Sequence, residues 1–389
     1  MNTLFLFITL IIAIPIIIFM LEVIFALFPQ KKIMNLDIEN RPTITVLVPA
    51  HNESEVIINT LESIKKQLIK NDRLVVVADN CTDNTSRIAK MHGAEVIERN
   101  VLNQRGKGYA LDFGIRHIEK DPTQVVIIID ADCFVENETL EILSKIAVLK
   151  NRPVQALYMM NYINPSIKQR IAEFAWLVKN YVRPRGLYNI GMPCQLMGTG
   201  MAFPWEIIVN TKLASGNIVE DMKMGLDMAK ASYAPLFYPY AKVTSTFPET
   251  TSAEQSQKKR WEHGHLSILI SVIPRFILHA LKQRSINVFV MSLDLIVPPL
   301  ALLALLVTIV FSGSLIFAIL TESYLPLIFS SLLIILFTFT VFLSWFLWGR
   351  RVVSLLDLLK VPIYVLGKIP LYVTYLFKRQ KEWIRTDRD

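Results

Sequence analysis

Cysteine is scarce in this 389-residue chain: Cys81, Cys133 and Cys194 lie far apart, an odd number with no Cys-x-x-Cys spacing. A disulfide framework and a cysteine metal site are therefore poor fits, and a reducing compartment suits the chain. Charge is also sparse, at 19% of residues against a hydrophobic share of 52%. Soluble domains carry roughly a quarter charged residues, so disordered, collagen-like and nucleic-acid-tail descriptions fit badly. No Gly-x-x-x-x-Gly-Lys-Ser/Thr run occurs, and no Gly-x-Gly-x-x-Gly follows the first strand-like segment. A P-loop nucleotide and a nicotinamide dinucleotide are thereby disfavoured as ligands.

What is abundant is apolar sequence, concentrated at the two ends. Residues 1–21 carry no charged side chain, and the apolar run continues past Glu22 to Phe28. About 20 apolar residues cross a bilayer as a helix. The segment lacks the basic start of a signal peptide, so it reads as a retained anchor over 1–29. Between Arg284 and Glu322 the only charge is Asp294, and 323–349 has none. Two further spans are expected at about 288–312 and 324–348, forming a hairpin within 286–349. Asp294 then either has a partner inside the membrane or sits near the headgroups. The net charge is +8, and basic residues lie at Lys31 and Lys32, at Lys282 and Arg284, and at Arg350 and Arg351. The excess of positive charge on the inner face predicts an outside N-terminus, a cytoplasmic middle and a cytoplasmic C-terminus. The proline-broken stretches 266–281 and 361–377 are expected to lie in the interface, giving an interfacial segment at 266–285 and an interfacial helix with a basic tail over 350–389.

The middle, residues 30–265, alternates strand and helix patterns. Segment 43–48 (TITVLV) is nearly continuous and apolar, as in a parallel strand covered on both faces. Ile57, Leu61, Ile64 and Leu68 follow at helical spacing, and 74–78 (LVVVA) and 125–129 (VVIII) are further strands. The predicted class is α/β with a mostly parallel, Rossmann-like sheet. Such sheets bind ligands outside the carboxyl ends of their strands. Polar residues stand at those places: Pro49-Ala50-His51-Asn52-Glu53, Asp79-Asn80 and Asp130-Ala131-Asp132.

Each motif has a chemistry and a bland alternative. Asp130 and Asp132 share one face of an extended segment and can approach one hard cation, Mg²⁺ or Mn²⁺, although acidic turns are common. Arg105-Gly106-Lys107-Gly108 precedes a helix, and Lys107 can reach a phosphate or simply face solvent in a turn. Glu220-Asp221 opens a helix; it is either pairing with the helix dipole or supplying, in Asp221, a general base for a hydroxyl. Gln257, Arg260 and Trp261 share a helix face suited to hydroxyl, phosphate and sugar-ring contacts, or to a membrane-interface belt. His263 and His265 lack a third ligand nearby.

Together with Gly198-Thr199-Gly200, these motifs occur in the order that characterises membrane-bound family 2 glycosyltransferases. The chain resembles the branch of cellulose, hyaluronan and poly-N-acetylglucosamine synthases over about residues 43–265, with flanking membrane helices. The resemblance implies a GT-A fold and an inverting transfer from a nucleotide sugar, normally a UDP-sugar, with Mg²⁺ or Mn²⁺. It places Ala50, Glu53 and Asp79 on the uridine, Lys107 near the nucleotide, and Asp130 near ribose or phosphate. Asp132, with Asp130, would hold the metal, and Asp221 would be the base. Gln257, Arg260 and Trp261 would close over the diphosphate and the acceptor end, while Gly198, Thr199, Gly200 and Glu220 would shape the acceptor site. The implied role is synthesis of a cell-surface or exopolysaccharide at the cell membrane, by a multi-pass protein whose partners are a sugar donor, a glycan or lipid-linked acceptor and the bilayer, not nucleic acid. Three spans are fewer than polysaccharide-secreting relatives usually carry. That leaves open an accessory subunit, homo-oligomers, or single-sugar addition to a lipid-linked glycan; a non-catalytic nucleotide-sugar-binding scaffold is the alternative from another class.

Overall fold

The computed structural model describes residues 2–30, 41–214, 216, 219–248 and 250–377. Lys31, Lys32 and the basic tail from Lys378 onward, which entered the orientation argument, lie outside the described residues. The uncharged N-terminal run forms one helix, α1 (Asn2–Ala26).

The middle of the chain builds a single eight-stranded sheet. Its strands are β1 (Ile44–Ala50), β2 (Arg73–Asp79), β3 (Glu95–Arg99), β4 (Val125–Ile128), β5 (Phe134–Val135), β6 (Val154–Asn161), β7 (Met201–Pro204) and β8 (Leu236–Thr246). They lie in the order β3-β2-β1-β4-β7-β6-β8-β5. The first four are parallel, with Val46 opposite Leu74 and Ile127; β7 enters antiparallel, and β6 pairs in parallel with β8. Helices α2 (Ile57–Lys65), α3 (Thr85–Met91), α4 (Lys107–Ile118) and α5 (Thr139–Lys150) cover the sheet. Val46 and Val48 pack on one side with Ile57 and Leu61, and Leu47 packs on the other with Leu111 and Ile115. Coverage on both faces explains why β1 reads as an unbroken apolar run.

Three elements join this domain to the long apolar helices. Helix α6 (Ile167–Leu177) continues through a π-helical turn (Val178–Val182) into α7 (Arg183–Asn189). Gly186 of α7 packs so closely on α1 that an added Cβ would collide with the Glu22 carbonyl. Between the two helices Arg183 is buried, pairing through Nε with Glu22 at 2.5 Å. Its other end reaches Asp294 at 2.6 Å. After β7 come α8 (Trp205–Ile208) and α9 (Glu220–Lys230).

The C-terminal helices depart from the expected hairpin in one place. The helix expected over 288–312 is instead α12 (Ile286–Ile296) and α13 (Leu300–Thr321). Pro298 and Pro299 explain the break, because proline lacks an N–H and forces the residue before it into extended backbone. Val297 is extended accordingly. Asp294 therefore lies in a short buried helix with Arg183 as partner, not in a spanning helix. Helix α14 (Leu325–Ser344) runs into a second π-helical turn ending at Gly349. Among the described residues, three helices are long and apolar enough to cross a membrane: 3–26, 300–321 and 325–349.

The expected interfacial stretch 266–281 is divided between α10 (Thr251–Ser271) and α11 (Ile273–Gln283), which meet at 46°. This bent pair together meets the same length and composition test, as a broken span or a re-entrant loop. Beyond α15 (Leu355–Leu358), the stretch 361–377 forms α16 (Val361–Leu366) and α17 (Ile369–Phe377).

Candidate active site

The carboxyl ends of β1, β2 and β4 open onto a cleft of about 250 Å³. Its walls include Ala50, Glu53, Asp79, Lys107, Asp130, Asp132, Gly198, Glu220, Asp221, Gln257, Arg260 and Trp261. Residues scattered over more than two hundred positions of sequence thus meet in one place because parallel strands deliver their ends to one edge.

At the β2 end the polar groups are closely hydrogen bonded. Asp79 is buried and accepts a charge-assisted hydrogen bond from Arg99 at 2.7 Å. Arg99 also donates to the Gln104 carbonyl at 2.9 Å. The side-chain oxygen of Asn80 accepts from the Val101 N–H at 2.7 Å, fixing the loop that follows β3. Asn52 and Asn80 both take positive φ, at 56° and 52°, which asparagine tolerates well and which turns the chain sharply after each strand.

The centre of the cleft is ionic. Lys107 opens α4 and pairs with Asp130, and it also donates to the Gly198 carbonyl at 2.8 Å. Burial works against its charge, but Asp130, then Glu220, hold Lys107 above the ordinary lysine value. The Thr199 hydroxyl accepts from the Asp130 N–H at 3.0 Å. Asp132 accepts from Ser245 at 3.2 Å. Ligand atoms of Asp130, Asp132 and Cys133 fall within 4.8 Å of one another. Burial pushes the Cys133 thiol well up, so it stays protonated and the usable donors are two hard carboxylates. That donor set fits Mg²⁺ or Mn²⁺, with remaining positions open to phosphate oxygens.

Asp221 faces this centre across Gly198. A Cβ added at Gly198 would lie 3.5 Å from Asp221 Oδ2 and 3.7 Å from Lys107 Nζ. With φ at +89°, the position also favours glycine for backbone reasons. Burial first, then the charge of Asp221, pushes Glu220 up to about 7. Burial raises Asp221 as well, against the opposing pull of Lys107. The charge of Asp221 beside it thus disfavours the ionised form of Glu220.

Of the three residues expected on the acceptor side in 198–200, Gly198 lines the cleft. Thr199 is fully buried beneath Asp130, and Gly200 backs onto Ala156 and Val243. Gln257 is 4% exposed and its Oε1 is buried without a hydrogen-bond partner among the described residues. His263 and His265 bond to the backbone carbonyls of Leu371 and Leu295, at 3.1 and 2.9 Å, as fixtures between helices.

Sequence reasoning missed Arg99 and the wall formed by Trp176, Lys179, Asn180 and Arg183. The available signal was a Trp-x-x-Lys-Asn-x-x-Arg run at helical spacing over 176–183. The indoles of Trp176 and Trp261 lie 4.9 Å apart, so this wall is continuous with the motif on α10.

Comparison with known proteins follows the same outline. The family described as "Glycosyltransferase like family 2" matches residues 42–264. The probable glycosyltransferase YdaM of Bacillus subtilis is 25% identical over 258 residues, covering 63% of this chain and 60% of YdaM. The poly-beta-1,6-N-acetyl-D-glucosamine synthase of Staphylococcus aureus is 21% identical over 281 residues, 69% of this chain and 65% of that protein. The chain thus spans less than two thirds of the length of both curated relatives. A mannosyltransferase from Pyrobaculum calidifontis, solved in complex with GDP-Man and Mn²⁺, aligns over 96% of this chain and 99% of its own, with a TM-score of 0.58 and 16% identity. At that identity the likeness is one of fold, the GT-A arrangement of a curled, mostly parallel sheet.

Proposed function

This chain belongs to glycosyltransferase family 2 and is a glycosyltransferase; on that premise we propose that it moves a sugar from a nucleotide sugar, normally a UDP-sugar, to a glycan acceptor at the membrane with inversion at the anomeric carbon. The observation that carries the reading is Asp221 facing the Lys107–Asp130 pair across Gly198, in one cleft with Asp132, Gln257, Arg260 and Trp261. The similar mannosyltransferase was solved with GDP-Man and Mn²⁺, which supports a nucleotide-sugar donor and a divalent ion here.

In this reading Ala50, Glu53 and Asp79 hold the nucleoside, and Lys107 meets its phosphates. Asp130 and Asp132 would hold Mg²⁺ or Mn²⁺, which when bound would supply positive charge for the diphosphate. Asp221 takes the proton of the acceptor hydroxyl as that oxygen attacks the anomeric carbon. The diphosphate leaves with the bonding electron pair, and Arg260 meets its charge. Gln257 and Trp261 present the acceptor ring, and Glu220 holds a hydroxyl beside it. Positive residues at Lys282, Arg284, Arg350 and Arg351 favour a cytoplasmic catalytic domain.

The leading role is extension of a cell-surface polysaccharide. One observation favours the second reading, single-sugar addition to a lipid-linked acceptor. Ile16, Phe19, Val23, Leu303, Val307, Leu333 and Phe337 pack into one apolar cluster between α1, α13 and α14. Among the described residues these three helices meet through a filled core, with Phe5 5.0 Å from Phe317 and Phe19 6.3 Å from Phe337. Release of nucleoside diphosphate over a panel of nucleotide sugars, with Mg²⁺ or Mn²⁺, tests the reading, with D132A and D221N as controls. Long polymer favours the first role, and a product one sugar longer favours the second. Silence with every donor would leave only the scaffold.

A further inference from the structure

Helix α10, which carries Gln257, Arg260 and Trp261 into the cleft, is held from its far side by the last described helices. An α-helix turns by about 100° per residue, so Glu262 and His263 point away from the face those three residues share. Neither is among the residues that line the cleft. Both are caught where α17 begins. Lys368, between α16 and α17, pairs with Glu262 at 2.6 Å. His263 Nε2 lies 3.1 Å from the Leu371 carbonyl, and its ring meets that of Tyr375 edge-on at 5.2 Å. Leu266, one turn further along α10, clusters with Tyr372 and Tyr375 against Leu302 and Leu305 of α13. The C-terminal helices are thus wedged between the motif helix and a long apolar helix.

Among these contacts the ion pair fixes direction. Apolar packing is non-directional and tolerates a turn of α10 about its axis. A salt bridge one residue past Trp261 does not. The Lys368 and Glu262 side chains are only 12% and 16% exposed, so solvent and salt screen the pair far less than a surface pair. Removing one partner would leave the other charge largely out of water. Two turns earlier, Glu254 accepts from the Tyr162 hydroxyl at 2.7 Å, so α10 is pinned on either side of its motif. A displacement of about 1 Å caused far from the chemistry can cost on the order of 10²-fold in rate.

We propose that Lys368 is a positioning residue for the transfer. Through Glu262 it sets the rotation of α10, and with it the placing of Arg260 and Trp261 over the reacting groups. The proposal rests on the glycosyltransferase reading above and adds to it a residue that lies outside the cleft.

The test uses the full chain in lipid nanodiscs, with Mn²⁺ and UDP-glucose, UDP-N-acetylglucosamine or GDP-mannose as donor. Nucleoside diphosphate release gives kcat and donor KM, and amide hydrogen exchange over 251–271 reports on α10 without turnover. K368M is expected to lower kcat by about tenfold to a hundredfold with donor KM unchanged, and to speed exchange in α10 but not in α4. K368R is expected to restore most of the rate. E262Q should reproduce K368M, and the exchanged pair E262K/K368E should recover part of what either change loses. An unchanged kcat in folded K368M overturns the proposal even where exchange in α10 rises, since the pair is then a stabilising contact alone. A loss that neither K368R nor the exchanged pair repairs overturns it too. Should K368M fail to fold, E262Q and the exchanged pair decide by the same criteria. Absence of release by the wild type with every donor counts against the enzymatic reading instead. In that case unaltered exchange in K368M overturns the placing of α10 by Lys368 as well, and faster exchange leaves it standing.

Discussion

The two ends of the cleft are built on different principles. At the strand-end side, Asp79, Arg99, Asn80, Lys107 and Asp130 hold one another through charge-assisted and backbone bonds. At the helical side, Lys179, the Trp176 N–H and Gln257 Oε1 lack hydrogen-bond partners among the described residues. A site with its polar groups already satisfied is rigid and suits one unchanging ligand portion, as a nucleotide is. Groups without partners discriminate, because a wrong ligand leaves them unpaired in a low-dielectric place. On the proposed reading, this difference makes donor binding and acceptor choice separable in this chain.

The largest expected effect comes from removing the base between the two ends. D221N should lower turnover by about 10²–10⁴-fold, the usual contribution of general base catalysis, with the donor KM holding. A rise in donor KM of that size would move Asp221 to the donor end and break the division. R99M attacks the satisfied end from behind. It leaves the buried Asp79 carboxylate unpaired, which costs about 3–5 kcal/mol, so thermal unfolding in detergent should come earlier and the donor KM should rise. A change in acceptor KM alone would contradict the division.

Less of the helical end was legible in the sequence, and the reason is physical. Strand ends are marked by apolar runs that stop abruptly at Asp79 or Asp130, so the donor side could be read from pattern alone. Arg99 escaped because β3 is short and carries charged residues at both ends, concealing a buried arginine at its last position. Lys179 escaped because a Trp-x-x-Lys spacing at the end of an amphipathic helix that already carries Lys168, Arg170 and Glu173 reads as an ordinary solvated face. Nothing in the sequence announces a π-helical turn. The Pro298-Pro299 pair was visible, but a window with Asp294 as its one charge outweighed it in placing the second span, and the chain broke there. Thr199 shows the opposite case: its motif was legible, but the threonine expected at the acceptor site is fully buried and supports Asp130 from beneath.

Two smaller effects sharpen the comparison. G186A forces a methyl group into the Glu22 carbonyl and should cost about 1–3 kcal/mol, seen as an earlier unfolding transition in detergent. The anchoring of α1 on α7 would then loosen the helical end more than the strand end, raising acceptor KM before donor KM. The smallest effect is on pH. A general base acts only when ionised, and burial raises Asp221, so activity should fall with acidification at a pH above that of an ordinary carboxylate. Glu220, pushed up to about 7 beside it, contributes to that limb. E220Q removes the neighbouring negative charge, lets Asp221 ionise more readily and should move the limb to lower pH. A shift to higher pH would show that the two carboxylates are not coupled in this way.

The most direct measurement is donor binding and nucleoside diphosphate release by the same nanodisc preparation, for wild type and D221N, across a panel of nucleotide sugars with Mn²⁺. The expected result is release by the wild type with at least one donor, and in D221N the same donor affinity with release reduced by about 10²–10⁴-fold. Release by D221N at the wild-type rate would contradict the assignment of the base and, with it, the account of how this cleft works.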